Sequence, residues 1–212
     1  SIGHGKGNNI SLLETLSFPD SVGLLYSAFT YYVGFMVNRG EYKLMGLAPY
    51  GKPRFVDIIK SKLVQINSDG SIRLNMNYFD YLSGMKMTND NFNQLFGGPP
   101  RAPESEITQR EMDLAKSIQV VTEEIILKMA DHAHNLTSCG NLCLAGGVAL
   151  NCVANGRVLR ESKFKQIWIQ PAAGDAGGAL GSALYFYYHK YKLNRDTSKL
   201  IQEGSYWGPR YS

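Results

Sequence analysis

The chain has 212 residues, 44% of them hydrophobic and 19% charged, with a formal net charge of +4. This composition is that of a globular protein, long enough for one domain or at most two to bury a core. The charge is mild and forms no Lys/Arg stripe, which argues against a nucleic-acid partner, and no apolar run reaches the ~18 residues that would span a bilayer.

Cys139, Cys143 and Cys152 are odd in number and lack Cys-x-x-Cys spacing. Reduced thiols in a cytoplasmic protein are the expectation, not a zinc site or a disulfide framework. No secretory signal opens the chain, so the glycosylation-type triplets at Asn9 and Asn135 are read as chance. The first residues, SIGHGKGNN, lack a Met and are strand-like, which suggests a piece of a longer protein.

In chain order, residues 1–5 and 9–18 flank the turn formers Gly5-Lys6-Gly7-Asn8, and a β-hairpin is expected. Pro19-Asp20-Ser21 breaks the strand, and Asp20 or Ser21 can cap a helix running to about Val37. That helix is apolar nearly all round, so it should be buried. Asn38-Arg39-Gly40 ends it, and GEYKLMGLAPYGKP follows. Residues 54–63 have helical spacing, Asn67-Ser68-Asp69-Gly70 is a turn, and 71–78 alternate as a strand. From Phe79 to Glu104 the sequence is irregular, broken at Gly97-Gly98-Pro99-Pro100, and 52–104 reads as an insertion between core elements.

Thr108 and Glu111 form a capping box. The helix it opens places Leu114, Ile118, Val121, Ile125, Met129, His132 and Leu136 on one stripe, predicting a long helix to about Asn135 with one face on a sheet. Two strand–turn–helix units follow. In the first, Leu142–Ala145 meets Gly146-Gly147 and a helix over 148–159; in the second, Ile167–Ile169 meets Pro171, Asp175 and another helix. Residues 193–212 read as a linker toward a further domain.

These turns hold the candidate chemistry. Gly146 and Gly147 permit close backbone approach by an anion near a helix start, or form a tight turn with nothing bound. Asp175 serves equally as a helix N-cap or as a metal ligand at a sheet edge. The glycines after it, Gly177, Gly178 and Gly181, each lower helix propensity by ~1 kcal/mol relative to Ala, which favours a site needing close packing or room for a ligand. Glu41 and Lys43 are either charges among buried residues, with a nucleotide as partner, or a solvated turn. His132 falls on the apolar stripe, and His134 is two positions on, so the pair cannot share a metal as i, i+4 ligands would.

The segments GEYKLMGLAPYGKP, LNMNYFDY, LFGGPPR, LCLAGGVALNCVANGRVLR and IWIQPAAGDAGGALGSAL, in that order over nearly the whole chain, resemble the NodU/CmcH-type O-carbamoyltransferases. That resemblance implies an α/β fold of the ribonuclease-H-like, actin-like ATPase type, here an incomplete subdomain with a mixed sheet flanked by helices over residues 1–192. The same resemblance implies kinship with the tRNA threonylcarbamoyl-transferring proteins. The resemblance further implies ATP-dependent transfer of a carbamoyl group from carbamoyl phosphate, through carbamoyl adenylate, to a hydroxyl of a small-molecule acceptor. It also implies a YrdC-like domain of the same parent chain that makes the adenylate, and Fe2+ or another divalent metal that serves the transfer. Position by position, Asp175 matches the metal-ligating, catalytic aspartate; Gly146, Gly147 and Asn151 match the nucleotide-contacting loop; Glu41 and Lys43 match a segment beside the nucleotide. The family's H-x-x-x-H metal ligands and D-G-x-G-E phosphate loop have no counterpart in the sequence, so the expectation is a central fragment, inactive alone. The competing readings are a nucleotide-binding kinase-like or regulatory module on the same scaffold, and a non-enzymatic interaction domain in which Asp175 only caps a helix.

Overall fold

The computed structural model describes residues 1–196, 198, 202 and 209, whose elements are mixed α/β. Strands β1 (Ile2–Lys6) and β2 (Asn9–Glu14) form the expected antiparallel hairpin, with Gly7 at φ +61° in its turn. Helix α1 (Val22–Tyr32) starts at Ser21, whose hydroxyl accepts from the Leu24 N–H. Next come α2 (Glu41–Leu47), α3 (Val56–Ile58) running into a π-turn over Ile59–Leu63, and the antiparallel pair β3 (Val64–Ile66) and β4 (Ile72–Leu74). Helix α4 (Asp90–Leu95) precedes the long α5 (Gln109–Thr137). Strand β5 (Asn141–Leu144), α6 (Cys152–Glu161), β6 (Gln166–Ile169) and α7 (Gly177–Tyr185) complete the order. No helix among the described residues is long and apolar enough to cross a membrane. The expected linker over 193–212 falls mostly outside the described residues.

Two compact units divide the chain. The first comprises Ser1–Thr15, Cys139–Leu150 and the described part of Phe164–Ser212. It holds the β1–β2 hairpin and the parallel pair β5–β6, in which Asn141 lies opposite Gln166 and Leu144 opposite Ile169. Helix α7 buries none of its residues.

The second unit, Leu16–Ser138 with Asn151–Lys163, is built around α5. Its capping box forms as expected: the Thr108 N–H and hydroxyl both donate to Glu111 Oε2. Leu114, Ile118, Val121 and Ile125 are fully buried, so the predicted stripe is the core face. Within this unit its principal partners are α6, the 3-10 turn over Ala48–Tyr50, α1 and α2. The stripe also leaves the core two turns early, since Leu136 is 44% exposed.

An aromatic cluster fills the other side of α1. Tyr32 and Phe92 rings lie 4.8 Å apart, Phe92 and Phe96 4.8 Å, Phe29 and Phe92 5.3 Å, and Phe55 and Phe96 5.5 Å. Offset and edge contacts of this kind contribute beyond the area they bury. Residues 52–104 thus supply Ile59, Leu63, Phe79, Phe92 and Phe96 to the buried core.

Several boundaries differ from expectation. Helix α1 stops at Tyr32, not near Val37: Gly34 takes φ +85°, and the Arg101 side chain donates to the Val33 carbonyl at 2.6 Å. The segment GEYKLMGLAPYGKP, for which a solvated turn is one reading, forms α2 and a 3-10 turn over Ala48–Tyr50. Of the strand expected over 71–78, only Ile72–Leu74 pairs, because the Asn75 carboxamide caps a 3-10 turn over Met76–Tyr78. The glycines of LFGGPPR take φ +77° (Gly97) and +152° (Gly98) and gather carbonyls onto Arg110, which donates to Phe96 at 2.9 Å, Gly98 at 3.1 Å and Pro99 at 3.2 Å.

Candidate functional site

In the first unit, β5 and β6 end level with one another at Leu144 and Ile169, so the chain leaves both strands at one sheet edge. The two glycine turns are tied there: the Gly146 N–H donates to the Ala173 carbonyl at 2.7 Å. Gly146 sits at φ +97°, a conformation that requires glycine. A Cβ on Gly146, Gly147 or Gly174 would meet nothing within 4 Å, so the space beside these turns is open. Gly177 is different, because a Cβ there would lie 2.3 Å from the Ala172 carbonyl oxygen. Its glycine is a packing requirement.

Asp175 lies on the second turn, exposed. It is not a side-chain cap: the residue at the N-cap of α7 is Ala176, in helical conformation, and no side chain caps the helix. The Asp175 backbone carbonyl accepts from the Gly178 N–H at 3.0 Å, while its carboxylate has no hydrogen bond among the described residues. It is therefore available as one oxygen ligand. No cluster of three or more His, Cys, Asp or Glu suited to a metal occurs among the described residues.

Glu41, Lys43 and Asn151 belong to the second unit. Glu41 is half-buried in the first turn of α2, and its Oε1 accepts from the Ser27 hydroxyl and the Asn38 N–H, both at 2.9 Å. Lys43 is exposed, with its ammonium 5.9 Å from the centre of the Phe35 ring. Two positions apart on a helix, the two charges do not face each other.

Asn151 is buried and caps α6: its Oδ1 accepts from the Ala154 N–H at 3.0 Å. The expected single helix over 148–159 is split here, a 3-10 turn at Gly147–Leu150 being followed by α6. Its carboxamide also pairs with that of Gln119. Gln119 Nε2 donates to Asn151 Oδ1 at 3.1 Å, and Asn151 Nδ2 donates to Gln119 Oε1 at 3.0 Å. Gln119 also accepts from the Tyr26 hydroxyl at 3.0 Å and donates to Glu123 Oε1 at 3.0 Å. Burial, helped by the Glu41 and Glu123 carboxylates and by Cys152, pushes the Tyr26 phenol far above its usual range, so it remains a neutral donor. Sequence reasoning missed Gln119, Tyr26 and Glu123. A Gln flanking an apolar stripe reads as the border of the polar face, and only the partner from α6 reveals that it is buried.

Comparison with known proteins decides the family. Residues 2–184 match the model described as carbamoyltransferase N-terminus. The chain belongs to this family. It is 58% identical over its whole length to the uncharacterised protein sll1178 of Synechocystis sp., covering 35% of that protein. It is 35% identical to the nodulation protein NolNO of Sinorhizobium fredii, over 97% of this chain and 28% of the relative. To the nodulation protein NolO of Bradyrhizobium diazoefficiens it is 34% identical, over 96% of this chain and 35% of the relative. The chain thus spans about a third of the length of these relatives.

Proposed function

We propose that this chain is the central part of an ATP-dependent O-carbamoyltransferase on an actin-like scaffold, and that the paired turns at the β5–β6 edge serve its reacting end. The observation that carries the reading is the junction of the two turns, where Gly146 is bonded to Ala173 and the exposed Asp175 carboxylate stands uncommitted beside open glycine backbone. Turns at the C-terminal edge of parallel strands are a common place for phosphates and metals.

In this reading the Gly146-Gly147 backbone accommodates the phosphate side of carbamoyl adenylate. Without side chains it lets an anion approach closely. Asp175 supplies one oxygen ligand to a divalent ion, Fe2+ by the family resemblance, and the rest of the ligand set comes from outside the described residues. When bound, such a metal supplies Lewis-acid polarisation of the carbamoyl carbonyl. The acceptor is a hydroxyl of a small molecule. A YrdC-like domain of the parent protein supplies the adenylate. Glu41, Lys43 and Asn151 enter the proposal as nucleotide contacts through the resemblance.

The test uses the full-length parent protein with carbamoyl phosphate, ATP and an alcohol acceptor. Asp175→Asn is expected to lose carbamoyl transfer and bound metal while keeping its circular dichroism spectrum and melting temperature, because the carboxylate holds nothing else in place. A variant that retains metal and activity would remove Asp175 from the site. The isolated 212-residue chain is expected to transfer no carbamoyl group under the same conditions.

A further inference from the structure

The polar group at the start of α6 is determined more fully than a helix cap requires. Two of its members can act in one direction only. The Ala154 N–H can only donate, so the oxygen of the Asn151 carboxamide must face it. The Glu123 carboxylate, ion-paired with Arg157 at 3.7 Å, can only accept, so the nitrogen of Gln119 must face it. Between these fixed ends the two carboxamides have one consistent orientation, with Gln119 Oε1 receiving both the Tyr26 hydroxyl and Asn151 Nδ2.

Counting hydrogen-bonding capacity then singles out one atom. Gln119 uses both of its N–H bonds and both acceptor positions of its oxygen. Asn151 Oδ1 accepts twice, from Gln119 and from Ala154. One Nδ2 hydrogen goes to Gln119, and the other has no partner among the described residues, on a residue that is only 8% exposed. A buried donor left unpaired is costly, and in a native protein it calls for a partner.

We propose that Gln119 and Glu123 are positioning residues that hold Asn151 as a hydrogen-bond donor, and only a donor, to an acceptor atom of the adenine nucleotide. The inference rests on the nucleotide reading given above. It adds a direction that the reading lacked: Asn151 recognises an oxygen or ring-nitrogen acceptor and offers the ligand no acceptor of its own. It also places two determinants of nucleotide affinity on α5, a helix with no glycine turn. Gln119 and Glu123 do not touch the ligand; they act through the orientation of Asn151.

The test measures binding of a non-hydrolysable carbamoyl-adenylate analogue by calorimetry, and the KM and kcat for carbamoyl transfer from supplied carbamoyl adenylate, in the full-length parent protein. Gln119→Met keeps the side-chain length and releases Asn151. It is expected to weaken binding and raise KM for carbamoyl adenylate roughly tenfold, as for one lost oriented hydrogen bond, with kcat within about twofold. Glu123→Gln retains an acceptor for Gln119 and is expected to bind within about twofold of wild type, whereas Glu123→Met removes it and is expected to lose about three- to tenfold. A purely structural role would lower the melting temperature of both Glu123 variants without separating their affinities. If Gln119→Met fails to fold, the two Glu123 variants decide the question, because that side chain is partly exposed. Wild-type binding with Glu123→Gln and Glu123→Met equally tight, or with folded Gln119→Met as tight as wild type, overturns this inference alone. A wild-type protein that neither binds the carbamoyl-adenylate analogue nor transfers from carbamoyl adenylate overturns the underlying reading, and this inference with it.

Discussion

Asp113 is almost fully buried on α5, and the groups that keep it charged come from two directions. Its Oδ1 accepts from the Lys52 N–H at 2.7 Å and the Gln109 carboxamide at 2.8 Å, and its Oδ2 lies 3.2 Å from Arg54 Nε. Burial alone would raise its carboxyl, but these hydrogen bonds and the neighbouring Arg54 and Lys52 charges outweigh it and hold the group below the usual carboxylate range. A carboxylate depressed in the folded state stabilises it fully above the unfolded value of about 3.9 and loses that contribution as pH falls through the lower folded value. Melting temperatures measured from about pH 5 down to pH 2 should therefore fall with a steeper slope in the wild type than in Asp113→Asn, which cannot titrate. Equal slopes would show that the charge is irrelevant to folding. The charge pairing was not legible beforehand, since Asp113 sits one position from the apolar stripe and its partners Lys52 and Arg54 lie about sixty residues upstream. At the same scale the capping box was legible, because Thr108 and Glu111 are local to each other. Thr108→Ala should cost about 0.5–2 kcal/mol of unfolding free energy in urea titration.

Among the elements, long periodic helices and turn-bounded hairpins could be read from sequence because their determinants lie within a few residues. Helix α5, the first hairpin and the two strand–turn–helix units are of that kind. The end of α1 could not be read, because Arg101 and the φ +85° of Gly34 set it, and a sequence apolar through Val37 gives no sign of that guanidinium. The candidate site divides the same way. Sequence places the turns at strand ends, but only the structure shows Gly146 bonded to Ala173. The small-residue run of α7 shows the contrast within one element. Gly177 packs against the Ala172 carbonyl, whereas a Cβ on Gly178 meets nothing within 4 Å. Gly177→Ala should destabilise by about 1–3 kcal/mol, the range for overpacking. Gly178→Ala should be neutral, or stabilise by up to about 1 kcal/mol through helix propensity. If the two variants melt alike, the distinction between a packing glycine and an open one fails.

At the scale of the molecule, the two units differ in how much each buries. In the second, α1 and α5 bring Leu25, Phe29, Leu114, Ile118 and Ile125 to complete burial. In the first, β5 and β6 alternate exposed with half-buried residues, and Leu12 (74%), Ile10 (67%) and Tyr191 (68%) stand open. Parallel strands are ordinarily covered on both faces, and a two-stranded pair has little independent stability. Apolar burial sets most of the free energy that opposes local opening, so the units of the isolated 212-residue chain should exchange amide hydrogens at different rates. Amides of β5, β6 and α7 are expected to exchange at least about a hundredfold faster than those in the middle of α5, a gap of roughly 2.7 kcal/mol in opening free energy. In the full-length parent protein, where the proposed function requires the β5–β6 edge to be held in a working geometry, the same amides should gain protection while those of α5 change little. Uniform protection in the isolated chain would mean that the hairpin, the parallel pair and α7 are stable on their own contacts. The exposed apolar residues would then be ordinary surface, and no covering partner would be needed to explain them.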